Sequence, residues 1–237
     1  MNPLQRLTIQ MLIIVTLFTC SSNKYNNLEF QSIGWDYNST IDYSIGTIKT
    51  AGKEKQFIEL KLKGVPFKNI TVAENSNHLI ALKMYKELQA YPELEKYIVR
   101  TAYKKDNNAT DTLSLEYEDL DKILGDYLKL YEKTSKDLKQ LIKSGSQDYI
   151  IDQMHPSITA NKEAIAQYKL NSKRNDSIGG KIIRVELHTM ESAMTMSNQP
   201  VLLFKGWASR ENNRKQQIEI GISKNIDNPY YHIINLK

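Results

Sequence analysis

Apolar and polar side chains alternate along one early stretch of the chain, residues 57–63, and the alternation is strict at its end. Leu60 and Leu62 lie on one face of this stretch, and charged side chains occupy the other. A period of two predicts a half-buried β-strand. The similar pattern of residues 43–49, with a glycine-containing turn between the two stretches, predicts a β-hairpin. Residues 30–37 carry apolar or aromatic side chains at mostly alternating positions, which predicts an earlier strand.

A helix and a second hairpin are predicted next. Apolar residues within 79–88 fall near the helical period, and the helix should stop before Pro92 because proline restricts the residue that precedes it. Residues 97–103 and 112–117 alternate again and predict two more strands. The first half, residues 28–118, is therefore expected to be an α+β module with the order β-β-β-α-β-β.

The longest helix is predicted at the start of the second half, residues 119–237. It begins at Asp119 or Asp121 and carries an apolar stripe at spacings of three and four residues. It ends at Gly145, a residue suited to a left-handed helix cap. This half is expected to be a domain in which helices precede a sheet.

Two shorter helices and a loop are predicted between the long helix and the sheet. The helices span residues 147–154 and 158–170, and residues 171–180 form a polar loop that ends in two glycines. Alternating or apolar runs then predict four strands, at residues 181–188, 201–208, 217–222 and 230–236.

The second half resembles the NTF2-like (cystatin-like) fold in this order of helices followed by a curved antiparallel sheet. The resemblance implies a cone-shaped cavity between the long helix and the sheet, where some family members use an Asp–His pair for acid–base chemistry. Asp152, His155 and Trp207 are the candidate cavity residues here. The first half resembles, in layout only, the N-terminal part of uncharacterised lipoproteins of the Bacteroidetes group.

Two further histidines, His188 and His232, could be structural rather than catalytic residues. His188 shares a strand face with Arg184 and Glu186, which is expected to be wet, and His232 lies between apolar residues of the last strand. Histidines in such places are more often packing or surface residues than catalysts. For Trp207 a place in the sheet core is favoured over a cavity role, since strands favour aromatic residues. We therefore assign no catalytic residue.

The first twenty residues combine a charged start with a short apolar run. Residues 7–18 would form about 18 Å of helix, less than the roughly 30 Å of a hydrocarbon core. A run of this length after Arg6 is typical of a secretory signal. It ends at residues 17–20, which resemble the lipobox of bacterial lipoproteins through Leu17 and Cys20.

The lipobox resemblance implies that Cys20 is acylated, with fatty acids such as palmitate, and becomes the first residue of the mature protein. Residues 1–19 would be a signal peptide and residues 20–27 a lipidated tether. Ser21 follows the cysteine where inner-membrane lipoproteins often carry Asp, which favours the outer membrane, facing the periplasm. With the only cysteine acylated, no thiol remains for a disulfide or a thiolate metal site.

Composition and motifs argue against several classes of ligand: nucleic acids, metals and nucleotide cofactors. The formal net charge of +5 is dispersed along the chain, as on a solvated surface, and does not indicate a nucleic-acid partner. The four histidines are scattered, without the spacing of metal ligands, and the chain has no glycine-rich phosphate loop or nucleotide fingerprint. We expect neither a metal nor a cofactor.

Two tripeptides resemble O-glycosylation acceptors of the Bacteroidetes periplasm. They are residues 111–113 and 176–178, in which Thr112 and Ser177 would carry the glycan. Both lie in or beside predicted loops, where a glycan could be tolerated.

Together these features predict a non-enzymatic lipoprotein of the cell envelope that binds a protein partner or a small ligand. One alternative is an immunity-type lipoprotein that neutralises a toxin. The other is a periplasmic enzyme that uses the C-terminal cavity, which an open pocket with Asp152 and His155 converging would favour.

Overall fold

The computed structural model describes most of the chain beyond residue 29. The described residues are 30–37, 39–50, 53–63, 76–94, 97–104, 110–146 and 148–236. Within these ranges the fold is mixed α+β, with two four-stranded sheets and six helices. None of the described helices is both long and apolar enough to cross a membrane. The predicted signal peptide, tether and Cys20 lie outside the described residues.

The first sheet contains both predicted hairpins. Its strands are β1 (Thr40–Thr50), β2 (Lys53–Lys63), β3 (Ile98–Lys104) and β4 (Thr110–Glu116), in the order β1-β2-β3-β4. Each hairpin is antiparallel, whereas β2 and β3 pair in parallel. A parallel pair requires a crossover connection, and this connection contains the second helix.

The predicted strand at residues 30–37 is wrong. Residues Gln31–Asp36 form a short helix, α1. Phe30, Ile33 and Tyr37 are almost completely buried, and their spacing of three and four residues places them on one side of a helical turn. Apolar residues in this stretch therefore follow the helical period, and the local alternation that suggested a strand is incidental.

Helix α2 (Ser76–Leu88) is buried on nearly all sides. It packs against β3 of the first sheet, against the long helix and against the first strand of the second sheet. The mostly apolar run 79–84 accounts for this position, since a helix with apolar residues on most sides packs in the interior. Lys83 is buried in it, and the contacts of this lysine define the site described below.

Helix α3 (Tyr117–Ser144) is the predicted long helix, and it begins two residues before the earlier of its predicted start positions. Gly145 caps it in the left-handed conformation, with φ of 63°, and its backbone N–H donates to the Leu141 carbonyl. The position 118/119, at which the sequence suggested a division of the chain, lies within this helix.

The predicted loop at residues 171–180 is also wrong. After the short helices α4 (Asp148–Ile151) and α5 (Pro156–Thr159), helix α6 extends over Lys162–Gly179. Its last turn is fixed by Arg210, whose buried guanidinium donates to the Asp176 carboxylate at 2.7 Å and to the Gly180 carbonyl at 2.5 Å. A contact distant in sequence thus stabilises a helix that the polar composition alone does not indicate.

The second sheet is an antiparallel meander. Its strands are β5 (Ile182–Met194), β6 (Pro200–Arg210), β7 (Lys215–Ser223) and β8 (Tyr231–Leu236). Phe204 and the three isoleucines of β7 are buried, and Tyr131 of α3 packs on Phe204 with ring centroids 6.0 Å apart. The long helix therefore covers the inner face of this sheet. One continuous cluster of buried apolar residues includes members of both sheets and of the helices between them.

Candidate functional site

A cleft of about 320 Å³ lies where α1, α2, α3 and β5 meet. Its apolar walls include Ile33, Leu138 and Val185. Three acidic and three basic side chains also line it, so their formal charges cancel: Asp36, Glu87, Glu186, Lys83, Lys86 and Lys139. A concave, partly apolar space with a few convergent polar groups is the usual form of a ligand site.

Lys83 joins three elements at the floor of this cleft. Its ammonium group donates to the Asp36 carboxylate at 2.7 Å and to the backbone carbonyl of Leu187 at 3.1 Å. The nitrogen also lies 5.0 Å from the centre of the Tyr37 ring, a favourable distance for a cation–π contact. Burial lowers the pKa of Lys83 below its usual 10.5, and the charge of Asp36 opposes part of that effect.

His188 lies behind the lysine and is buried, contrary to the wet face that the sequence predicted. The register of β5 against β6 shifts between Leu187 and Thr189, so His188 is the extra residue of a β-bulge. A bulge interrupts the alternation of side chains between the two faces of a strand. The four consecutive residues from Leu187 to Met190 are consequently all buried.

The imidazole of His188 is held in its neutral form. Its Nε2 donates to the backbone carbonyl of Asp36 at 2.7 Å, and the hydroxyl of Tyr37 donates to the carbonyl of His188 at 2.8 Å. Burial, followed by the charge of Lys83, lowers the pKa of His188 to about 4. This histidine therefore connects α1 with β5, and its backbone and ring contacts are structural.

Tyr131 and Asp36 are two polar groups of the cleft lining with complementary hydrogen-bonding character. Burial, with a smaller contribution from Asp36, raises the pKa of Tyr131 to about 12. Like an ordinary tyrosine, it is protonated at neutral pH and can donate. The Asp36 side chain is 35 % exposed and can accept hydrogen bonds besides the one from Lys83. Together they provide a donor and an acceptor beside apolar walls.

The predicted cavity residues lie elsewhere. Asp152 is exposed in the turn after α4, and no hydrogen bond joins it to His155 although the structure describes both side chains. His155 instead caps α5 by accepting from the Ser157 backbone N–H, and its ring stacks on His232 at 4.8 Å. Trp207 is half-buried on β6, at a position that alternates with the buried inner residues. None of the three lines the cleft.

The two candidate glycosylation residues are both exposed. Thr112 lies on β4, the edge strand of the first sheet. Ser177 lies in the last turn of α6 rather than in a loop, and its hydroxyl donates to the Arg174 carbonyl at 2.7 Å. The neighbouring Asp176 is held in the ion pair with Arg210.

A second polar cluster was not predicted from the sequence. The buried carboxylate of Asp137 accepts hydrogen bonds from Lys133 at 2.6 Å, Tyr149 at 3.0 Å and Tyr231 at 2.8 Å. Lys133 also donates to Gln153 at 3.0 Å. The cluster joins α3 to α4 and β8. Only the Lys133–Asp137 spacing of four residues could have indicated it.

Sequence reasoning also missed Asp36 and Lys83. The one available signal was a lysine within the otherwise apolar run 79–84, where a charge has to find a partner if the helix is buried. No feature of the sequence indicated Asp36, because its pairing with Lys83 depends on where α1 packs. Among the residues that the structure describes, no group of three or more potential metal ligands comes together.

Comparisons with protein-family models, curated protein sequences and solved structures found no match to this chain.

Proposed function

We propose that this chain is a lipid-anchored protein of the cell envelope that binds a small ligand in the cleft between α1, α2, α3 and β5, and that it does not act as an enzyme. The observation that carries the proposal is the cleft itself, where the two halves of the chain supply a donor and an acceptor beside apolar walls. The anchor at Cys20, in the outer membrane and facing the periplasm, is part of the same proposal and rests on the lipobox-like residues 17–20.

We also propose that the second half is an NTF2-like domain. The support is the order of its elements: a long helix, shorter helices, and four antiparallel strands whose inner face packs on the long helix. In that fold a ligand occupies the space between long helix and sheet. The proposal is also supported by the cleft, which borders the long helix and the first strand of this sheet, with α1 and α2 of the first half closing one side.

The contacts of the titratable groups favour binding over catalysis. Lys83 is held by Asp36 and by a backbone carbonyl, and the ring of His188 is held by another backbone carbonyl. A general base must be free to reach the proton that it takes. His155, the histidine suggested for a pair with Asp152, stacks instead on His232, away from the cleft lining.

Native mass spectrometry of the full chain, purified in detergent from its own cells, tests this proposal. Ser32 is exposed and lines the cleft, so Ser32→Trp should fill the cleft without disturbing the core. Ser114→Trp, on the exposed face of β4, is the matched control. We expect a retained small molecule with the wild type and with Ser114→Trp, and its loss with Ser32→Trp.

Equal retention by both tryptophan variants would reject the cleft as the binding site. Release of a chemically changed ligand by the wild type, and not by Ser32→Trp, would favour the enzymatic alternative.

A further inference from the structure

A second depression, which we call the lysine groove, adjoins the cleft. It has a volume of about 420 Å³ and lies along the C-terminal half of α3, between the end of α2 and Tyr149 of α4. Lys86, Ser135 and Lys139 line both the cleft and the lysine groove. The two depressions are therefore adjacent, and a ligand in the cleft could extend into the lysine groove.

The charge of the lysine groove is strongly one-sided. Four lysines and one acidic residue, Glu132, line it, which is a formal excess of three positive charges. The cleft has three of each sign, so the excess is confined to the groove. The whole chain has a formal net charge of only +5. A concave surface lined by one sign of charge concentrates the field and attracts counter-ions.

Within the described ranges, most of the groove lysines have no acidic partner. Lys86 pairs with Glu132 at 3.1 Å. Lys136, Lys139 and Lys143 follow at spacings of three and four on one side of α3, and no ion pair to them occurs among the residues that the structure describes. Like charges at these spacings repel one another, so an anion in the groove would relieve that repulsion.

The nearest buried acid is not available to neutralise these lysines. Asp137 lies on the same helix, but its side chain is only 4 % exposed and accepts from Lys133, Tyr149 and Tyr231. Tyr149, which also lines the groove, points its hydroxyl at this carboxylate. These hydrogen bonds occupy the Asp137 carboxylate, so it does not pair with the groove lysines, which face solvent.

We propose that the lysine groove binds the anionic end of a small soluble ligand that carries phosphate groups or several carboxylates. This inference rests on the proposed function and adds the ligand's chemical class: a less charged body in the cleft and a multiply charged anion in the groove. The acids of the cleft would repel the anion, which fixes the orientation of the ligand. Lysine ammonium groups suit such a role because they act as mobile point charges toward phosphate.

Isothermal titration calorimetry of the full chain in detergent with inorganic tripolyphosphate, repeated with citrate, tests the inference. The test variant is Lys136→Gln/Lys139→Gln/Lys143→Gln. The control is Lys162→Gln/Lys173→Gln/Lys215→Gln, which removes three lysines that are also exposed but lie on other surfaces. Both variants change the net charge by the same amount. Thermal melting checks that each one folds.

We expect millimolar or tighter binding by the wild type that weakens as salt rises, since screening shortens the reach of exposed charges. The groove variant should raise the dissociation constant about tenfold, and the control should change it by less than about twofold, because only groove lysines contact the anion. Equal weakening in both variants would overturn the inference in favour of non-specific attraction. So would binding to phosphatidylglycerol vesicles without binding of either soluble anion, which would make the groove a membrane contact.

The two proposals can fail separately. If Ser32→Trp loses a retained ligand that proves to be uncharged, the cleft proposal stands and the anion inference is wrong. If the groove lysines bind tripolyphosphate but no ligand depends on Ser32, the groove is a separate anion site and the cleft proposal is wrong.

Discussion

The hydroxyl of Tyr37 donates a hydrogen bond of 2.8 Å to the backbone carbonyl of His188, 151 positions further along the chain. Tyr37 follows α1 and His188 forms the bulge of β5, so the bond fastens the start of the fold to the second sheet. The two rings also pack at 5.3 Å. A buried carbonyl at a bulge lacks its normal partner in the sheet, and the tyrosine provides one.

Tyr37→Phe should lower the free energy of unfolding by about 1 to 2 kcal/mol, because it leaves the buried carbonyl of His188 without this donor. Tyr230→Phe is the matched control, since Tyr230 is partly exposed and its hydroxyl only accepts from Asn228. It should change stability by less than about 0.5 kcal/mol. Urea unfolding followed by circular dichroism measures both. If both variants lost the same free energy of unfolding, the hydrogen bond from Tyr37 would contribute no more to stability than the exposed one at Tyr230.

His188 should make the protein sensitive to acid. Its pKa is lowered from 6.5 to about 4 in the folded chain, so between these values the unfolded chain binds more protons. The free energy of unfolding should therefore fall as the pH drops through that window. The contribution of His188 is about 3 kcal/mol, complete above pH 6.5 and lost below about pH 4.

The variant His188→Gln isolates this effect. A glutamine amide can still donate to the Asp36 carbonyl but does not titrate, so the loss of stability between pH 7 and pH 4.5 should be smaller than in the wild type. Urea unfolding at the two pH values measures the difference. The same pH dependence in both proteins would show that other groups cause the acid sensitivity.

Gly206 should tolerate no side chain. A Cβ atom at this position would lie 1.9 Å from the Glu186 carbonyl oxygen, which belongs to the backbone of β5 and cannot move aside cheaply. Gly206→Ala should cost about 2 kcal/mol or more. At Gly221 the atoms nearest to a Cβ would belong to the Ile233 side chain, at 3.1 Å, so Gly221→Ala should cost less. Thermal or urea unfolding compares the pair. A Gly206→Ala protein as stable as Gly221→Ala would contradict the close approach at the bulge.

Asp137→Ala should destabilise the fold by about 2 to 3 kcal/mol, because it leaves the buried hydroxyl of Tyr231 without an acceptor and removes a partner of Lys133. Asp126→Ala is the control on the same helix. That carboxylate is exposed and lies 3.7 Å from Lys129, an ion pair expected to contribute less than about 0.5 kcal/mol. Chemical unfolding of both variants ranks the two sites, and similar costs would contradict a structural role for the cluster.

Cys20→Ala should abolish incorporation of labelled palmitate into the protein in its own cells, because the proposed acylation requires this thiol. Ser21→Ala, one position later, should leave labelling intact. Gel fluorography of the purified proteins gives the comparison. Labelling that persists in Cys20→Ala would remove the anchor from the proposal.

Much of the fold could be predicted because the signals are local. The alternation of Leu60 and Leu62 marks β2, and Gly145 marks the end of α3 because few other residues adopt its left-handed conformation readily. The predictions failed where a distant contact decides the outcome. The last turn of α6 depends on the contacts of Arg210. Helix α1 forms because Phe30 and Ile33 are buried against other parts of the fold.

The candidate site was less predictable than the fold for the same reason. Asp152 and His155 looked suitable because they are near in sequence, but the turn after α4 leaves Asp152 exposed while His155 caps α5. Besides the lysine in the run 79–84, Gly206 was an overlooked hint, since an isolated glycine in a strand often marks a bulge or a close approach of another backbone.

By itself the sequence determined the strand hairpins, the long helix with its cap, and the signal-like start. Each of these depends on a pattern of residues that lie within a few positions of one another. Only the tertiary structure decided that Lys83 meets Asp36, that His188 turns inward, and that four lysines share a groove. Those relationships join separate elements, and the packing of the shared core sets their distances.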